Sequence, residues 1–174
     1  MTNILVTGGV GFIGSNLCRT LLEKGNAVIA LDNLITSSGD NLKALQKYQH
    51  FSFLKHDITR SLPKSLFSTS AIDAVFHLAC PTGVPNLVRL AEEMLLTCSI
   101  GTKNVLDLAR HHGAKLVFTS SSEVYGDPLV FPQEETYTGN VDPRGIRSPY
   151  EEGKRFSESL ITMYGRKYDL DVKI

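Results

Sequence analysis

The chain has 174 residues and carries 18 basic and 18 acidic side chains, so its formal net charge is zero. This balance argues against a nucleic-acid or anionic-membrane partner, and no apolar run approaches the roughly 20 residues of a membrane-spanning helix. The three cysteines lack the paired spacing of a zinc site or a disulfide framework, which favours free thiols in the cytoplasm and no metal. We therefore expect one cytoplasmic domain, residues 1–174.

Short apolar runs alternate with longer helical patterns along the chain. A strand at 3–7 is followed by a glycine-rich turn and by a helix that starts near Phe12 and stops at Gly25. Repeated strand–helix–strand order predicts an α/β fold with a doubly wound parallel sheet, of the Rossmann type. Ligands of such sheets bind at the carboxyl ends of the strands. We expect further strands at 27–31, 51–55, 74–78, 115–120 and 171–174, a short helix within 33–49, and long helices at 87–112, interrupted near residue 101, and at 150–166.

The turn after the first strand has the spacing of a dinucleotide-binding loop. Gly8, Gly11 and Gly14 follow the pattern Gly-x-x-Gly-x-x-Gly. The first glycine allows a tight turn, the second lets the backbone approach a pyrophosphate, and the third lets the helix pack closely on the strand. The helix N-terminus at Phe12 and Ile13 would then offer free amides to the phosphates. A purely structural turn is the alternative, but the strand–turn–helix context favours a nucleotide site.

An acidic residue ends the second strand at the distance expected of a ribose ligand. The Asp32 carboxylate can accept hydrogen bonds from both adenosine ribose hydroxyls and would repel a 2′-phosphate, so NAD is favoured over NADP. Asp57 follows the third strand, where it could meet the adenine edge or simply stabilise a turn. Further residues near the strand ends are expected to bind the cofactor: Asn33, Ile58, Leu78 and Ala79.

A tyrosine and a lysine four residues apart begin the last helix. Tyr150 and Lys154 therefore share one helix face. A free tyrosine has a pKa near 10, and a neighbouring ammonium group favours the phenolate, so the pair could remove a hydroxyl proton while hydride passes to NAD. This spacing is common by accident, but a nucleotide site in the same chain favours a catalytic role.

Three serines and a glutamate, residues 120–123, follow the fifth strand on the same edge of the sheet. A hydroxyl there could bond to the reacting oxygen of a substrate. Glu123, if partly desolvated, could serve as an acid or a base. A serine-rich loop with an exposed glutamate is the alternative interpretation.

Together these residues resemble the extended short-chain dehydrogenase/reductase family of nucleotide-sugar epimerases, dehydratases and decarboxylases, from Thr7 to Ile174. The most similar branch is that of the UDP-glucuronate decarboxylases, also called UDP-xylose synthases. The segments 77–81, 121–128 and 145–155 look like motifs of that branch, which has glycine before the lysine, as at Gly153.

The resemblance implies an NAD-dependent lyase that oxidises C4 of UDP-glucuronate, loses carbon dioxide from the 4-keto intermediate and returns the hydride to give UDP-xylose. Tyr150, aided by Lys154, would take the C4 hydroxyl proton. Ser121 would polarise the C4 oxygen and Glu123 would assist at the sugar ring. The implied sugar-binding residues are Pro81, Ser122, Glu123 and Tyr150.

A nucleotide-sugar 4,6-dehydratase, a 4-epimerase and a non-catalytic NAD-binding module are the alternatives. Ser122 argues against the first, because related dehydratases usually have an aspartate there as general acid. Cys98 stands where the family usually has Asn, and a thiol cannot make the hydrogen bonds of an amide. Family members are also much longer, so we expect a chain truncated at the sixth strand, without most of the C-terminal substrate-binding region. The resemblance further implies a homodimer formed through the two long helices.

Overall fold

A computed structural model of the chain describes residues 1–68 and 71–174. Its centre is one sheet of six parallel strands in the order β3-β2-β1-β4-β5-β6. The chain builds outward from β1 to β3, then crosses back and continues from β4 to β6, so the order reverses between β1 and β4. The predicted doubly wound parallel sheet is confirmed. The strands are β1 Asn3–Thr7, β2 Ala27–Asp32, β3 Phe51–Lys55, β4 Ala74–His77, β5 Lys115–Phe118 and β6 Val172–Lys173.

Helices cover both faces of the sheet. The helical stretch expected at 87–112, with an interruption near residue 101, consists of two short helices, a π-helical turn at Thr97–Gly101 and a longer helix, so the expected interruption is confirmed. The chain also breaks at Leu90, whose backbone is not helical (φ −124°, ψ 31°). The last helix begins two residues earlier than expected, with Pro149 in its first turn, where its missing N–H costs nothing. The helices are α1 Phe12–Glu23, α2 Gly39–Leu45, α3 Lys64–Ser68, α4 Asn86–Arg89, α5 Ala91–Leu96, α6 Thr102–His112 and α7 Ser148–Tyr168.

The alternation of side chains along the strands divides the core into two layers. Along β1, Leu5 belongs to the cluster beneath α6 and α7, whereas Ile4 and Val6 belong to the cluster beneath α1. A strand whose successive side chains are buried on opposite faces reads as a continuous apolar run, which is why β1 was predictable. Among the described helices, none combines the length and the apolar character needed to cross a membrane.

Candidate functional site

A cleft of about 620 Å³ opens along the carboxyl ends of the strands, at the point where the strand order reverses. It brings together every residue predicted to bind the cofactor, together with Pro81. Their binding roles stay predictions. The predicted residues that line it are Gly8, Gly11, Phe12, Ile13, Gly14, Asp32, Asn33, Asp57, Ile58, Leu78, Ala79, Pro81, Tyr150 and Lys154.

The glycine-rich turn leaves no room for side chains. Gly8 has a left-handed backbone (φ +67°), and a Cβ there would lie 3.0 Å from the backbone of Ala79. A Cβ on Gly14 would lie 2.1 Å from the Gly8 carbonyl oxygen. Helix α1 begins directly after the turn, at Phe12, and among the described residues no side chain caps its first amides. Those amides and the helix dipole form a site that suits a phosphate group.

Asp32 is 6% exposed and its carboxylate is held by three donors. The Val10 N–H donates to Oδ2 at 3.2 Å and the Leu34 N–H donates to Oδ1 at 2.9 Å. The Ser37 hydroxyl lies 3.2 Å from both oxygens. These contacts fix the orientation of the carboxylate in the wall of the cleft, where a ribose was predicted to bind. Ser37 was missed by the sequence analysis, because loop spacing does not reveal which hydroxyl turns back.

Asp57 also stabilises a turn, as its alternative interpretation expects. Its Oδ1 accepts hydrogen bonds from the Thr59 N–H at 2.9 Å and from the Thr59 hydroxyl at 2.8 Å. The Asn33 amide donates to Oδ2 at 3.1 Å. Burial by itself would raise the pKa of Asp57, but these hydrogen bonds outweigh it and lower the pKa. The carboxylate is therefore held ionised at the cleft wall.

The Tyr150–Lys154 pair lies at the opposite end of the cleft, on α7. The Lys154 ammonium is buried, donates to the Thr119 carbonyl oxygen at 2.7 Å and lies 5.9 Å from the centre of the Tyr150 ring. The expectation that Lys154 lowers the pKa of Tyr150 is wrong for the chain alone. Burial raises that pKa, while the Ser121 hydroxyl acts in the opposite direction. The main cause is the burial of the phenol, and the Lys154 ammonium is bound to a backbone carbonyl rather than to the phenol.

The predicted residues Ser121, Ser122 and Glu123 lie at a 3₁₀ turn just after β5. Within the described ranges they do not line the cleft, whereas their neighbours Thr119 and Ser120 do. Ser121 caps the turn by accepting the Glu123 N–H at 3.3 Å. The Glu123 carboxylate forms an ion pair with Arg147.

Arg147 was missed by the sequence analysis because it lies far from Glu123 in sequence. Its Nε also lies 3.0 Å from the carboxylate of Glu151, which is buried. Burial raises the pKa of Glu151, and the positive charge of Arg147 opposes that rise. The guanidinium therefore joins two carboxylates at the edge of the predicted catalytic region.

A buried chain of hydroxyls and an imidazole joins the two ends of the cleft beneath its surface. The Thr7 oxygen accepts the N–H groups of Leu78 and Ala79, so its own proton faces His77 Nδ1 at 2.7 Å. His77 Nε2 contacts the Thr102 hydroxyl at 3.1 Å, which lies 3.2 Å from the Ser157 hydroxyl on α7. Burial, aided by the Lys154 charge, lowers the pKa of His77 to about 3, so the imidazole is neutral.

One more polar contact was not predicted. It lies at the end of the cleft formed by Thr119, Ser120, Tyr150 and Lys154, called the reaction end after its predicted role. The Ser120 hydroxyl, which lines the cleft, donates to the Glu158 carboxylate at 2.5 Å. Glu158 lies on α7 about two helical turns beyond Tyr150. The helix that carries the predicted base therefore also holds a hydroxyl of the cleft wall.

Comparison with known proteins places this geometry in a family. The family model for GDP-mannose 4,6 dehydratase matches residues 5–174. UDP-glucuronic acid decarboxylase 6 of Arabidopsis thaliana is 45% identical over 98% of this chain and 48% of its own length. The chain thus spans about half the length of the curated relatives it matches.

Solved structures agree on the fold. UDP-glucose 4-epimerase from Brucella ovis, in complex with NAD, has a TM-score of 0.81 and 28% identity, over 99% of this chain and 50% of that one. A dTDP-glucose 4,6-dehydratase from Streptomyces venezuelae, with NAD bound, has a TM-score of 0.85 and 30% identity, over 98% of this chain and 54% of that one. The chain belongs to the GDP-mannose 4,6 dehydratase family, within the extended short-chain dehydrogenases/reductases.

Proposed function

We propose that this chain forms the cofactor-binding part of an NAD-dependent decarboxylase that converts UDP-glucuronate to UDP-xylose. The observation that carries the proposal is the single cleft in which the glycine-rich turn, Asp32 and the Tyr150–Lys154 pair all meet. The choice of reaction is supported by the curated relatives, of which several at 39 to 45% identity are UDP-glucuronic acid decarboxylases. The epimerase and dehydratase structures described above are less similar, at 28 and 30% identity.

The cleft fits an NAD molecule at the adenosine and pyrophosphate end. The amides at the start of α1 would hold the pyrophosphate. A side chain at Gly14 would collide with the Gly8 carbonyl oxygen, so glycine is needed there to keep the turn in this shape. Asp32, already oriented by its three donors, would accept the ribose hydroxyls and disfavour a 2′-phosphate. When bound, NAD would supply the acceptor and donor of the hydride at C4 of the sugar.

Proton transfer would fall to Tyr150. Its phenol would take the proton of the C4 hydroxyl, with Ser121 polarising the C4 oxygen and Lys154 supplying positive charge from beneath. Because burial raises the pKa of Tyr150, the phenolate form needs a higher pH than in free tyrosine. We therefore expect the rate of the reaction to rise with pH into the alkaline range.

The sugar would lie beyond Tyr150, between Pro81 and the turn at 121–123. Glu123 would assist at the sugar ring, with Ser122 beside it. In the chain alone Glu123 is paired with Arg147, so its carboxylate would have to turn from the guanidinium towards the substrate. Until the substrate binds, the ion pair with Arg147 would hold the Glu123 carboxylate at the rim of the cleft.

A homodimer is part of the proposal. Several apolar side chains on α5, the π-helical turn and α7 are exposed: Leu95, Ile100, Phe156 and Met163. Because α5 and α7 pack side by side, these exposed apolar side chains can form one surface that a second copy of the chain would bury. Sedimentation of the full-length native protein should give a dimer, and Phe156→Glu should shift it towards the monomer. A monomeric wild type would reject this part of the proposal.

The decisive experiment incubates full-length native protein with NAD and UDP-glucuronate and follows the nucleotide sugars by mass spectrometry. We expect UDP-pentose to appear, to be lost with Tyr150→Phe and to persist with Tyr168→Phe, a matched change at the far end of α7. Protein that binds NAD but leaves UDP-glucuronate unchanged would reject the decarboxylase. A sibling nucleotide-sugar activity or a non-catalytic NAD-binding module would then replace it.

A further inference from the structure

Two cysteines that are distant in sequence meet beside the cleft. Cys80 follows β4 and lines the cleft next to Pro81. Cys98 lies in the π-helical turn and is 2% exposed. Their sulfur atoms are 3.6 Å apart, close enough for a hydrogen bond between the thiols. The third cysteine, Cys18, is buried in the other core layer beneath α1.

The contact is held by the surrounding fold. On α7, Gly153 faces Cys98, and a Cβ at Gly153 would lie 3.2 Å from the Cβ of Cys98 and 3.3 Å from its sulfur. The Ser157 hydroxyl donates to the Cys98 carbonyl oxygen at 2.7 Å and so fixes its backbone. Lys154 lies near enough for its charge to act on both thiols. The absence of a side chain at Gly153 therefore gives Cys98 its room.

We propose that Cys80 and Cys98 are a modification site, a thiol pair that peroxide converts reversibly into a disulfide. A disulfide requires the sulfurs to approach to about 2.05 Å, so the pair has to close by roughly 1.5 Å. The proposal requires side-chain rotation and a small shift of the loop after β4 to supply this movement. Neither cysteine has another cysteine partner in the described part of the chain, because Cys18 lies on the opposite face of the sheet.

The reaction balances with hydrogen peroxide as the oxidant. Cys98 first loses its proton to solvent. The Cys80 proton then passes to the Cys98 sulfur across their hydrogen bond, while the Cys80 sulfur, which faces the cleft, attacks one peroxide oxygen. The O–O bond breaks, and the departing hydroxide takes the proton from Cys98 to become water, which leaves a sulfenic acid on Cys80 and a thiolate on Cys98. The Cys98 thiolate then attacks that sulfur, the S–S bond forms, and the released hydroxide becomes the second water. Two thiols are oxidised and one peroxide is reduced.

The electrostatics favour a thiolate in this pair. The hydrogen bond from Cys80 lowers the pKa of Cys98 to about 7; burial opposes this change, and the charge of Lys154 adds to it. The same hydrogen bond raises the pKa of Cys80. The pair therefore holds one readily lost proton and one retained proton, which suits a Cys98 thiolate that resolves the sulfenic acid.

The test treats native protein with hydrogen peroxide, blocks the remaining thiols with N-ethylmaleimide under denaturing conditions and maps the peptides. We expect a cross-linked peptide that joins Cys80 to Cys98, its release by dithiothreitol, and alkylation of Cys18 as before. Cys18→Ala should preserve the cross-link, whereas Cys80→Ser and Cys98→Ser should each abolish it. Folded protein in which both thiols stay alkylatable, or in which Cys80 is over-oxidised without a cross-link, would overturn the proposal.

A regulatory role for the disulfide rests on the proposed NAD binding, because residues 79–81 form the cleft wall. Titration of NAD into oxidised and reduced protein should show roughly tenfold weaker binding after oxidation, a difference of about 1.4 kcal/mol. The difference should vanish in Cys98→Ser. Equal affinities of oxidised and reduced wild type would reject the regulatory role, whereas the cross-linked peptide reports on the disulfide even where NAD does not bind.

Discussion

The two ends of the cleft are built in different ways. At the predicted nucleotide end, the shape of the cleft is set mainly by backbone: the turn at Gly8, the close approach at Gly14 and the free amides of α1. At the reaction end, the contacts join side chains from separate elements, such as Glu123 in the turn after β5 and Arg147 at the start of α7. One end is therefore fixed by local conformation, and the other by contacts between residues that are distant in the chain.

This difference determines what each end tolerates. A side chain added to the tight turn collides with backbone atoms and forces the whole turn to change. A substitution in a side-chain network removes one contact and leaves the others in place. Substitutions at the nucleotide end should therefore have large, all-or-none effects. Those at the reaction end should have graded effects that depend on pH and on the partner removed.

The largest effect is expected from Gly14→Ala. The new Cβ would lie 2.1 Å from the Gly8 carbonyl oxygen and 2.9 Å from the Gly9 Cα, and both are backbone atoms. Such overpacking should lower the free energy of unfolding by about 3 kcal/mol or more. NAD affinity should fall by roughly 100-fold, since the turn must open to make room. Urea unfolding and calorimetric titration of NAD measure the two effects.

Gly39→Ala is the matched control. Among the described residues no atom lies within 4 Å of a Cβ at Gly39, which begins α2 and has an ordinary backbone. Alanine is a better helix former than glycine, so stability should rise slightly and NAD affinity should not change. If the two variants have similar unfolding free energies and NAD affinities, the turn does not require glycine at position 14.

The same contrast explains how far the sequence could be interpreted. The bounds of β1 and β3 were predicted correctly, because a short apolar run between turns leaves little choice. The predicted cofactor residues all line one cleft, because glycine spacing and strand ends are local signals. The break at Leu90 was not predicted, and the π-helical turn was predicted only as an interruption near residue 101, since helical periodicity does not show where an extra residue enters a helix.

The reaction end was less predictable for a related reason. Spacing brought Tyr150 and Lys154 to one helix face, but it gave no sign that the ammonium is bound by the Thr119 carbonyl. The predicted direction of the Tyr150 pKa shift was wrong because burial of the phenol raises that pKa, and the spacing of two residues on one helix does not reveal burial. Arg147 was missed because pairing across a loop leaves no pattern in sequence.

The second prediction concerns His77, which joins the two ends. Its folded pKa of about 3 lies below the ordinary value of 6.5, so the unfolded chain binds the proton first as pH falls. The stability that the neutral imidazole contributes is complete above pH 6.5 and is lost on acidification towards pH 3. The free energy of unfolding should fall by about 2 kcal/mol between pH 7.5 and pH 5 from this group.

Urea unfolding of His77→Asn at both pH values isolates that contribution. The variant should be less stable at neutral pH, but it should lose about 2 kcal/mol less than wild type on acidification. His50→Asn replaces an exposed histidine and should follow the wild-type dependence. If His77→Asn and wild type lose the same free energy, the imidazole is not the buried link between the two ends.

A smaller effect is expected from Glu158→Gln at the reaction end. The amide can still accept from Ser120, but a hydrogen bond to a neutral group replaces one to a carboxylate. The loss in unfolding free energy should be about 1 kcal/mol, with a several-fold slower reaction because Ser120 lines the cleft.

Glu152→Gln makes the same chemical change on the same helix. Glu152 is 40% exposed and its partner Arg155 lies 3.7 Å away, so its loss should change neither stability nor rate appreciably. If Glu158→Gln proves as silent as this control, the short contact with Ser120 does not orient the cleft wall.

The smallest effect is expected from Arg147→Gln, which leaves Glu123 and Glu151 without their shared cation. Arg147 is 48% exposed, so solvent screens both pairs and the loss in unfolding free energy should stay below about 1 kcal/mol near pH 7. The sign follows from Glu151, whose pKa burial already raises. Without Arg147 the pKa of Glu151 should rise further. The loss in unfolding free energy should therefore grow as pH rises and shrink near pH 4, where Glu151 is protonated in both wild type and variant.

Arg144→Gln separates this effect from a general loss of positive charge. Arg144 is 93% exposed and lies 4.0 Å from Asp142, so its removal should leave stability unchanged at either pH. If the two arginine variants match at both pH values, the ion pair with Glu123 does not organise the rim. The side-chain network of the reaction end would then rest on Lys154 and its bond to the Thr119 carbonyl, which is itself a backbone contact. In that case both ends of the cleft would depend mainly on backbone groups, and the contrast between them would be smaller than the side-chain contacts of the reaction end indicate.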